Sequence, residues 1–552
     1  MSRASTAPSR HVPTGLIVTA VVAFLVIRVP FLSLPLERDE GEYAYIAQRM
    51  LAGDVPYRDA FDQKPPGVFL AYALAFASLG ESIEGIRLFL WLWTAAAAAA
   101  LFHLVRALSG GLAAGFALLV FAIASADPQV QGHAANTENW MLLPLILSAA
   151  ACVRGWQRGD RWSWLACGGF AALACWFKQV AVTDACLLAA GIWGDAIVGR
   201  PAPGAREACS RGALFALGAA LVSAPVLLYF AANGALAPFF DAVFIHNVGY
   251  SRASSGAEGL ANLGRALARQ LPSFSWVWAL ALAGWLVPGF AGRPVRHALA
   301  AWWLVSWAGA WVGLYFRPHY FLQAVPALAA LAGIGAAGLA ERLAARRPAA
   351  RGVVVGALAA LVALVPLAAH RSFLLAGSPT VISRQIYGMN PFPESLLIAE
   401  HIQQNSRPED RVFIVGSEPQ ILFYARRRSA TRYMYFYPLT GDFPDARARQ
   451  QAVIEEVRAA RPLYVVWVDV VTSLLRTSRS QALVFDATTE LLARDYRIEL
   501  VAHPDASLRA YAIDRGEVAR RYVQAARANP QDALPWIAVY RRKASGAEPG
   551  LL

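Results

Sequence analysis

Eleven apolar runs of roughly 15 to 23 residues recur through the first two-thirds of this chain, and such a series belongs in a lipid bilayer. They fall at about 15–34, 86–108, 112–126, 139–153, 162–177, 180–197, 212–231, 274–290, 297–316, 319–340 and 352–369. Hydrophobic residues make up 57 % of the 552, with seventeen tryptophans, which also exceeds what a water-soluble domain carries. The expected fold is a polytopic α-helical membrane protein of about 11 transmembrane helices.

Alternation of the loops fixes an orientation. One set carries Arg3 and Arg10; Arg106; Arg154, Arg158 and Arg161; Arg200, Arg206 and Arg211; Arg293 and Arg296; and Arg342, Arg346, Arg347 and Arg351. The arginine bias assigns that set, with the N-terminus, to the cytoplasm. The other set, 39–64, 127–136, 233–271, 317–318 and the C-terminal region, then faces outward. The N-terminal run reads as an uncleaved signal anchor. The net charge of +13 is dispersed through these loops and forms no single basic face, which speaks against nucleic acid as a partner.

After about residue 370 the runs shorten and charge rises. Helices are expected at 394–404, 446–460 and 480–493, and strands at 411–415, 463–468, 497–502 and 509–513, with a loose tail from about Ala544. The division is a membrane domain over 1–370, with its first outer loop at 36–85, and a soluble α/β domain over 371–552. Within the loop, 40–52 has an apolar face suited to a helix lying in the membrane interface. The run 68–79, behind Pro65 and Pro66, is too short to span. The five cysteines lie in or beside the middle spans without metal-ligand spacing and read as small core residues.

The loop also concentrates charge: between Glu37 and Gly67 it holds seven carboxylates, three arginines and a lysine. Asp39 opens it where a span meets water. As Asp39-Glu-Gly-Glu42 the segment has capping-box spacing, so Asp39 is either a helix N-cap or a general base for an acceptor hydroxyl, and the two roles are compatible. Glu40 is expected to orient the acceptor or share the charge. Lys64 closes the loop. It either snorkels to water or binds phosphate as a mobile point charge, and Pro65-Pro66 stiffens the backbone behind it. The chain has only three lysines against forty-seven arginines, which draws notice to Lys64 and Lys178. Further candidates for substrate binding lie at the same membrane face: Tyr57, Arg58 and Asp62 in the loop; His133, Asn136 and Glu138 at the mouth of a span; Lys178 between two apolar runs; His246; and Arg317, His319 and Tyr320. Each is weak alone, since a lone histidine is more often structural. Their shared side of the membrane is the stronger signal.

The order Asp39-Glu40, Asp62-Gln-Lys-Pro-Pro-Gly67, Asn136-Thr-Glu138, Phe177-Lys-Gln179 and Pro318-His-Tyr-Phe321 resembles the GT-C glycosyltransferases. Within them it is similar to the bacterial branch akin to dolichyl-phosphate-mannose–protein mannosyltransferases and lipid A aminoarabinose transferases. The likeness covers roughly residues 15 to 370. It implies a polyprenyl-phosphate sugar as donor, an active site on the periplasmic face of a bacterial inner membrane, and a lipid, glycan or protein acceptor. By the family pattern Asp39 is the catalytic base, Lys64 binds the donor phosphate, and Arg317 and His319 lie near the lipid-phosphate pocket. Some relatives hold a divalent metal through an acidic residue directly before the lysine. Gln63 stands there in this chain, with Asp62 one further back, so no metal is carried over. Two rival readings are a lipid-linked-sugar transporter or flippase, which needs polar groups near the bilayer midplane, and a non-catalytic scaffold, which leaves the one-sided polar cluster unexplained.

Overall fold

The apolar runs fold as helices whose outward faces are as hydrophobic as their inward ones. In Thr14–Arg28, Leu16, Ala20, Ala23 and Ile27 are buried while Val18, Val21, Val22 and Leu25 are exposed. A surface of that kind is stable against hydrocarbon, with small residues mediating the helix contacts. Among the described residues six helices are long and apolar enough to cross a membrane: Thr14–Phe31, Ile83–Ser109, Gln179–Val198, Ala205–Ala232, Pro318–Ala345 and Pro348–Ala369. Between them stand Gly111–Ala124, Thr137–Arg158, Trp162–Phe177, Gly256–Leu286 and Arg293–Trp311, so each of the eleven expected runs falls on a helix. The chain is a multi-pass membrane protein. Pro318–Ala345, rich in alanine and glycine, is the most enclosed span, with 94 % of its apolar window buried.

The computed structural model describes residues 11–251, 255–288, 290–346, 348–507, 510–529 and 534–544. Arg3, Arg10, Arg347 and the tail beyond Ala544 lie outside them. The cysteine reading holds only in part. Cys152 and Cys167 are buried, but Cys186 and Cys209 are exposed, on the outer faces of their helices.

Beyond Ala369 the chain builds a six-stranded sheet from β1 (Arg411–Val415), β2 (Arg428–Ser429), β3 (Tyr464–Asp469), β4 (Tyr496–Pro504), β5 (Tyr511–Arg515) and β6 (Trp536–Arg542). The order is β2-β1-β3-β6-β4-β5, with β2, β1 and β3 mutually parallel and β6 antiparallel between β3 and β4. Helices Phe392–Gln404, Ala446–Ala460 and Leu483–Asp495 accompany it. The strand β6 and the helix Gly516–Ala528 lie where the sequence predicts no element.

The loop between the first spans contains two helices, Arg38–Leu51 and Gly67–Leu79. The first does not lie on a membrane surface as its amphipathic pattern predicts. Residues 40–47 are buried on every face, because the C-terminal region packs directly over them. At Gly41 an added Cβ would sit 2.6 Å from the backbone nitrogen of Gln420, so only glycine admits this approach. Leu36 N donates to Tyr424 Oη at 2.8 Å and Ser429 N to Tyr45 Oη at 2.8 Å, stitching the same seam.

Candidate active site

Asp39 is presented by the first turn of Arg38–Leu51. The capping box that fixes this turn is shifted from the sequence expectation: Glu37, not Asp39, is the N-cap. Its Oε2 accepts from Asp39 N at 3.2 Å, and Glu40 Oε2 accepts from Glu37 N at 3.3 Å. Asp39 is thereby relieved of capping. Its carboxylate makes no hydrogen bond among the described residues and faces a cavity of about 460 Å³.

Glu40 is turned the other way. It is fully buried and ion-paired with Arg87, whose Nη2 donates to Oε2 at 2.9 Å, and it accepts from Ala135 N at 2.6 Å. It does not line the cavity, so the role of orienting an acceptor is replaced by that of anchoring the Asp39 turn to the helix Ile83–Ser109. Arg38, on the far side of Asp39, binds the C-terminal region. Its Nε and Nη2 donate to Glu418 Oε1 at 3.0 and 2.7 Å, and Nη2 also reaches Asn390 Oδ1 at 2.8 Å.

Lys64 reaches the same cavity from the other end of the loop. Three contacts hold its backbone. Lys64 N donates to Asp62 Oδ1 at 3.0 Å, Tyr57 Oη donates to Lys64 O at 2.8 Å, and Gln63 O accepts from Asn247 Nδ2 at 2.8 Å. Tyr57 has a left-handed backbone (φ 69°), a conformation tolerated where the surroundings over-determine it. The Lys64 ammonium lies 5.7 Å from the centroid of the Tyr43 ring. Directly after the proline pair, Gly67 packs so tightly that an added Cβ would be 2.5 Å from Trp176 O, which brings this loop against Lys178.

The second wall of the cavity includes Lys178, Arg317, His319 and Tyr320. Lys178 is ion-paired with buried Glu138, and its ammonium sits 4.3 Å from the Tyr320 ring centroid. His319 Nδ1 meets Gln131 Oε1 at 2.7 Å, and its Nε2 is 3.9 Å from Glu138 Oε1. Glu138 thus stands behind the wall as the counter-ion of Lys178, with His319 close by. Asp39, Asp62, Lys64, Lys178, Arg317, His319 and Tyr320 therefore share one cavity.

The other sequence candidates lie elsewhere. Tyr57 supports the Lys64 backbone, and Arg58 is exposed, paired with Asp59 and donating to Asn233 O. His133 stacks on Phe31 at 4.8 Å and contacts Tyr387 Oη at 3.1 Å; burial and Arg87 push it down to about 3, so it stays neutral. Asn136 is buried outside the cavity, its side-chain amide without a partner among the described residues. His246 is buried against Phe61 and Phe443, with Arg449 Nη1 3.1 Å from its Nδ1. These side chains brace the site from outside.

Several lining residues escaped the sequence reading. Glu42 lies one turn after Asp39 on the same helix face, a spacing that predicts its proximity. Asn390, Tyr435, Tyr437 and Thr472 come from the C-terminal region and roof the cavity, which no local signal predicts. Burial, the negative charge of Asp62 and those of Asp39 and Glu37 hold the Glu42 carboxyl well above the usual range, against the pull of Lys64. Burial likewise raises Asp62, again opposed by Lys64. The site is therefore an acid cluster around one ammonium, facing a cationic wall. Among the described residues no three His, Cys, Asp or Glu side chains converge in a metal-holding group.

Residues 63–230 match the family model described as dolichyl-phosphate-mannose-protein mannosyltransferase. Two solved structures share the fold. One is ArnT from Cupriavidus metallidurans bound to undecaprenyl phosphate, with a TM-score of 0.58 and 17 % identity, covering 82 % of this chain and 93 % of that one. The other is the same protein in the apo state, with a TM-score of 0.55, 18 % identity and the same coverage. No curated protein matches the chain by sequence.

Proposed function

We propose that this chain, which has the GT-C glycosyltransferase fold, transfers a sugar from a polyprenyl-phosphate donor to an acceptor hydroxyl at the periplasmic face of a bacterial inner membrane. The observation that carries the reading is the meeting of Asp39 and Lys64 in one cavity, the carboxylate without a hydrogen-bond partner among the described residues. The outward orientation rests on the arginine bias of the opposite loops, and it gives residues 371–552 a periplasmic setting.

In this mechanism the acceptor oxygen attacks the anomeric carbon as Asp39 takes its proton. The bond from that carbon to the phosphate oxygen breaks, and the lipid phosphate departs with the electron pair. Lys64 and Arg317 stabilise the charge that develops on it. Lys178 is already matched to Glu138, so its charge supports the wall more than it meets the ligand. An in-line displacement inverts the anomeric centre. Base assistance accounts for about 10²–10⁴-fold in rate, and electrostatic stabilisation of the leaving phosphate for a comparable factor.

Purified protein in nanodiscs tests this. Wild type should bind undecaprenyl phosphate, with Lys64→Ala weakening binding by at least about tenfold, since a charge-assisted contact is worth roughly 1.5–3 kcal/mol. Asp39→Asn should retain that binding while release of lipid phosphate from a sugar-bearing donor falls roughly 10²-fold or more. Turnover at the wild-type rate in Asp39→Asn, in a normally inserted protein, removes Asp39 as the base.

A further inference from the structure

Two carboxyl groups lining the cavity have oxygens without hydrogen-bond donors among the described residues. Asp62 is 3 % exposed, its Oδ1 occupied by Lys64 N and its Oδ2 buried without a partner among the described residues. Glu42, also 3 % exposed, makes no hydrogen bond among the described residues. A buried acceptor left unpaired is costly, and a bound ligand that supplies O–H donors removes the cost.

Tyr435 lines the same cavity, from the C-terminal region. Its hydroxyl makes no hydrogen bond among the described residues, and it is close enough to feel the charges of Asp39, Arg38, Glu42 and Lys64. Burial keeps the phenol protonated far above neutral pH, so it is available as a donor. Its backbone is well held. Phe436 N donates to Ser417 Oγ at 3.0 Å, and Tyr433, two residues earlier, packs on Phe61 at 5.2 Å, directly before Asp62. The Arg38–Glu418 pair fixes the same region over Asp39. The cavity volume lies within the range of about 300–1,000 Å³ that accommodates small ligands.

We propose that Tyr435 is a glycosyl-contacting residue, donating to an oxygen of the donor sugar whose hydroxyls are held by Glu42 and Asp62. The C-terminal region is then one wall of the sugar subsite and a determinant of which sugar is accepted. This rests on the donor class proposed above and adds to it the recognition of the sugar, apart from that of the phosphate. A sugar offers both donors and acceptors over one ring, which matches a cavity lined by two carboxyls and one phenol.

The test separates sugar from phosphate. Binding to full-length protein in nanodiscs is measured for bare undecaprenyl phosphate and for the same lipid carrying mannose, glucose or aminoarabinose. Wild type should bind at least one sugar-bearing lipid more tightly than the bare one. Tyr435→Phe should leave bare-lipid affinity within about twofold while reducing that sugar-dependent margin roughly three- to tenfold, the worth of one neutral hydrogen bond. A margin unchanged in Tyr435→Phe, an equal loss for bare and sugar-bearing lipids, or no margin in wild type for any of the three sugars overturns the assignment. Failure of Lys64→Ala to weaken any of these lipids counts instead against the donor class itself.

Discussion

Replacing Arg87 by methionine probes what holds Asp39 in place. Arg87 and Glu40 are both fully buried, and Arg87 donates to both oxygens of the Glu40 carboxylate and to His133 O, the last at 3.2 Å. Glu40 in turn accepts from Ala135 N at 2.6 Å and closes the capping box on Glu37 N. One pair therefore ties together the helix Ile83–Ser109, the 133–135 loop and the turn that carries Asp39. Arg87→Met leaves the Glu40 carboxylate buried with backbone donors but no counter-ion. Breaking a pair of this kind costs about 3–5 kcal/mol, of which most is the uncompensated charge. Glu40→Gln alone leaves the arginine in the same position and is expected to cost a similar amount. In the double variant Glu40→Gln, Arg87→Met no charge remains, the amide still accepts from Ala135 N, and about half or more of the loss should return. The readout is the apparent melting midpoint of detergent-solubilised protein, followed by tryptophan fluorescence at a fixed scan rate because unfolding of such proteins is irreversible. A wild-type midpoint in Arg87→Met, or a double variant whose loss is the sum of the two single losses, would refute the idea that the pair is a mutual necessity.

Glu42 gives a pH test. Its folded-state carboxyl titrates well above the ordinary range, chiefly through burial, so its contribution to stability is full below the unfolded value and is lost as pH rises through the folded one. Glu42→Gln should therefore raise the melting midpoint relative to wild type more at pH 8 than at pH 5; an equal difference at both would show that the group is not carrying that cost. Gly41→Val places side-chain atoms against the backbone of Gln420, which cannot move aside. It should loosen the C-terminal region, seen as faster limited proteolysis between residues 370 and 410 with membrane insertion intact, and an unchanged digestion pattern would argue that the seam has slack.

How much of this the sequence foretells depends on distance along the chain. The helical runs and the meeting of Asp39 and Lys64 follow from periodicity, because both residues bound a single loop between two apolar helices. The cap does not follow. Glu37-Arg-Asp-Glu40 and Asp39-Glu-Gly-Glu42 are overlapping acidic candidates at the start of the helix, and only the tertiary pull of Arg87 on Glu40 selects the first. The amphipathic face of residues 40–52 is real, but a face that suits the membrane interface equally suits a protein cover. That cover comes from residues such as Glu418 and Gln420, some 380 positions away from Arg38 and Gly41. The strand β6 was hidden for a related reason: it enters the middle of the sheet, and its pairing with β3 and β4 is entirely non-local.

The seam between Gly41 and Gln420 also sets a schedule for biosynthesis. The turn bearing Asp39 is translated well before Glu418, the partner of Arg38, and Tyr435, which both follow the helix Arg351–Ala369. Until Glu418 and Tyr435 have been made, the Asp39 side of the cavity has no roof over it. Closure of the cavity is thus deferred until the C-terminal region has folded, and a chain truncated near residue 370 would carry Asp39 and Lys64 but half a pocket.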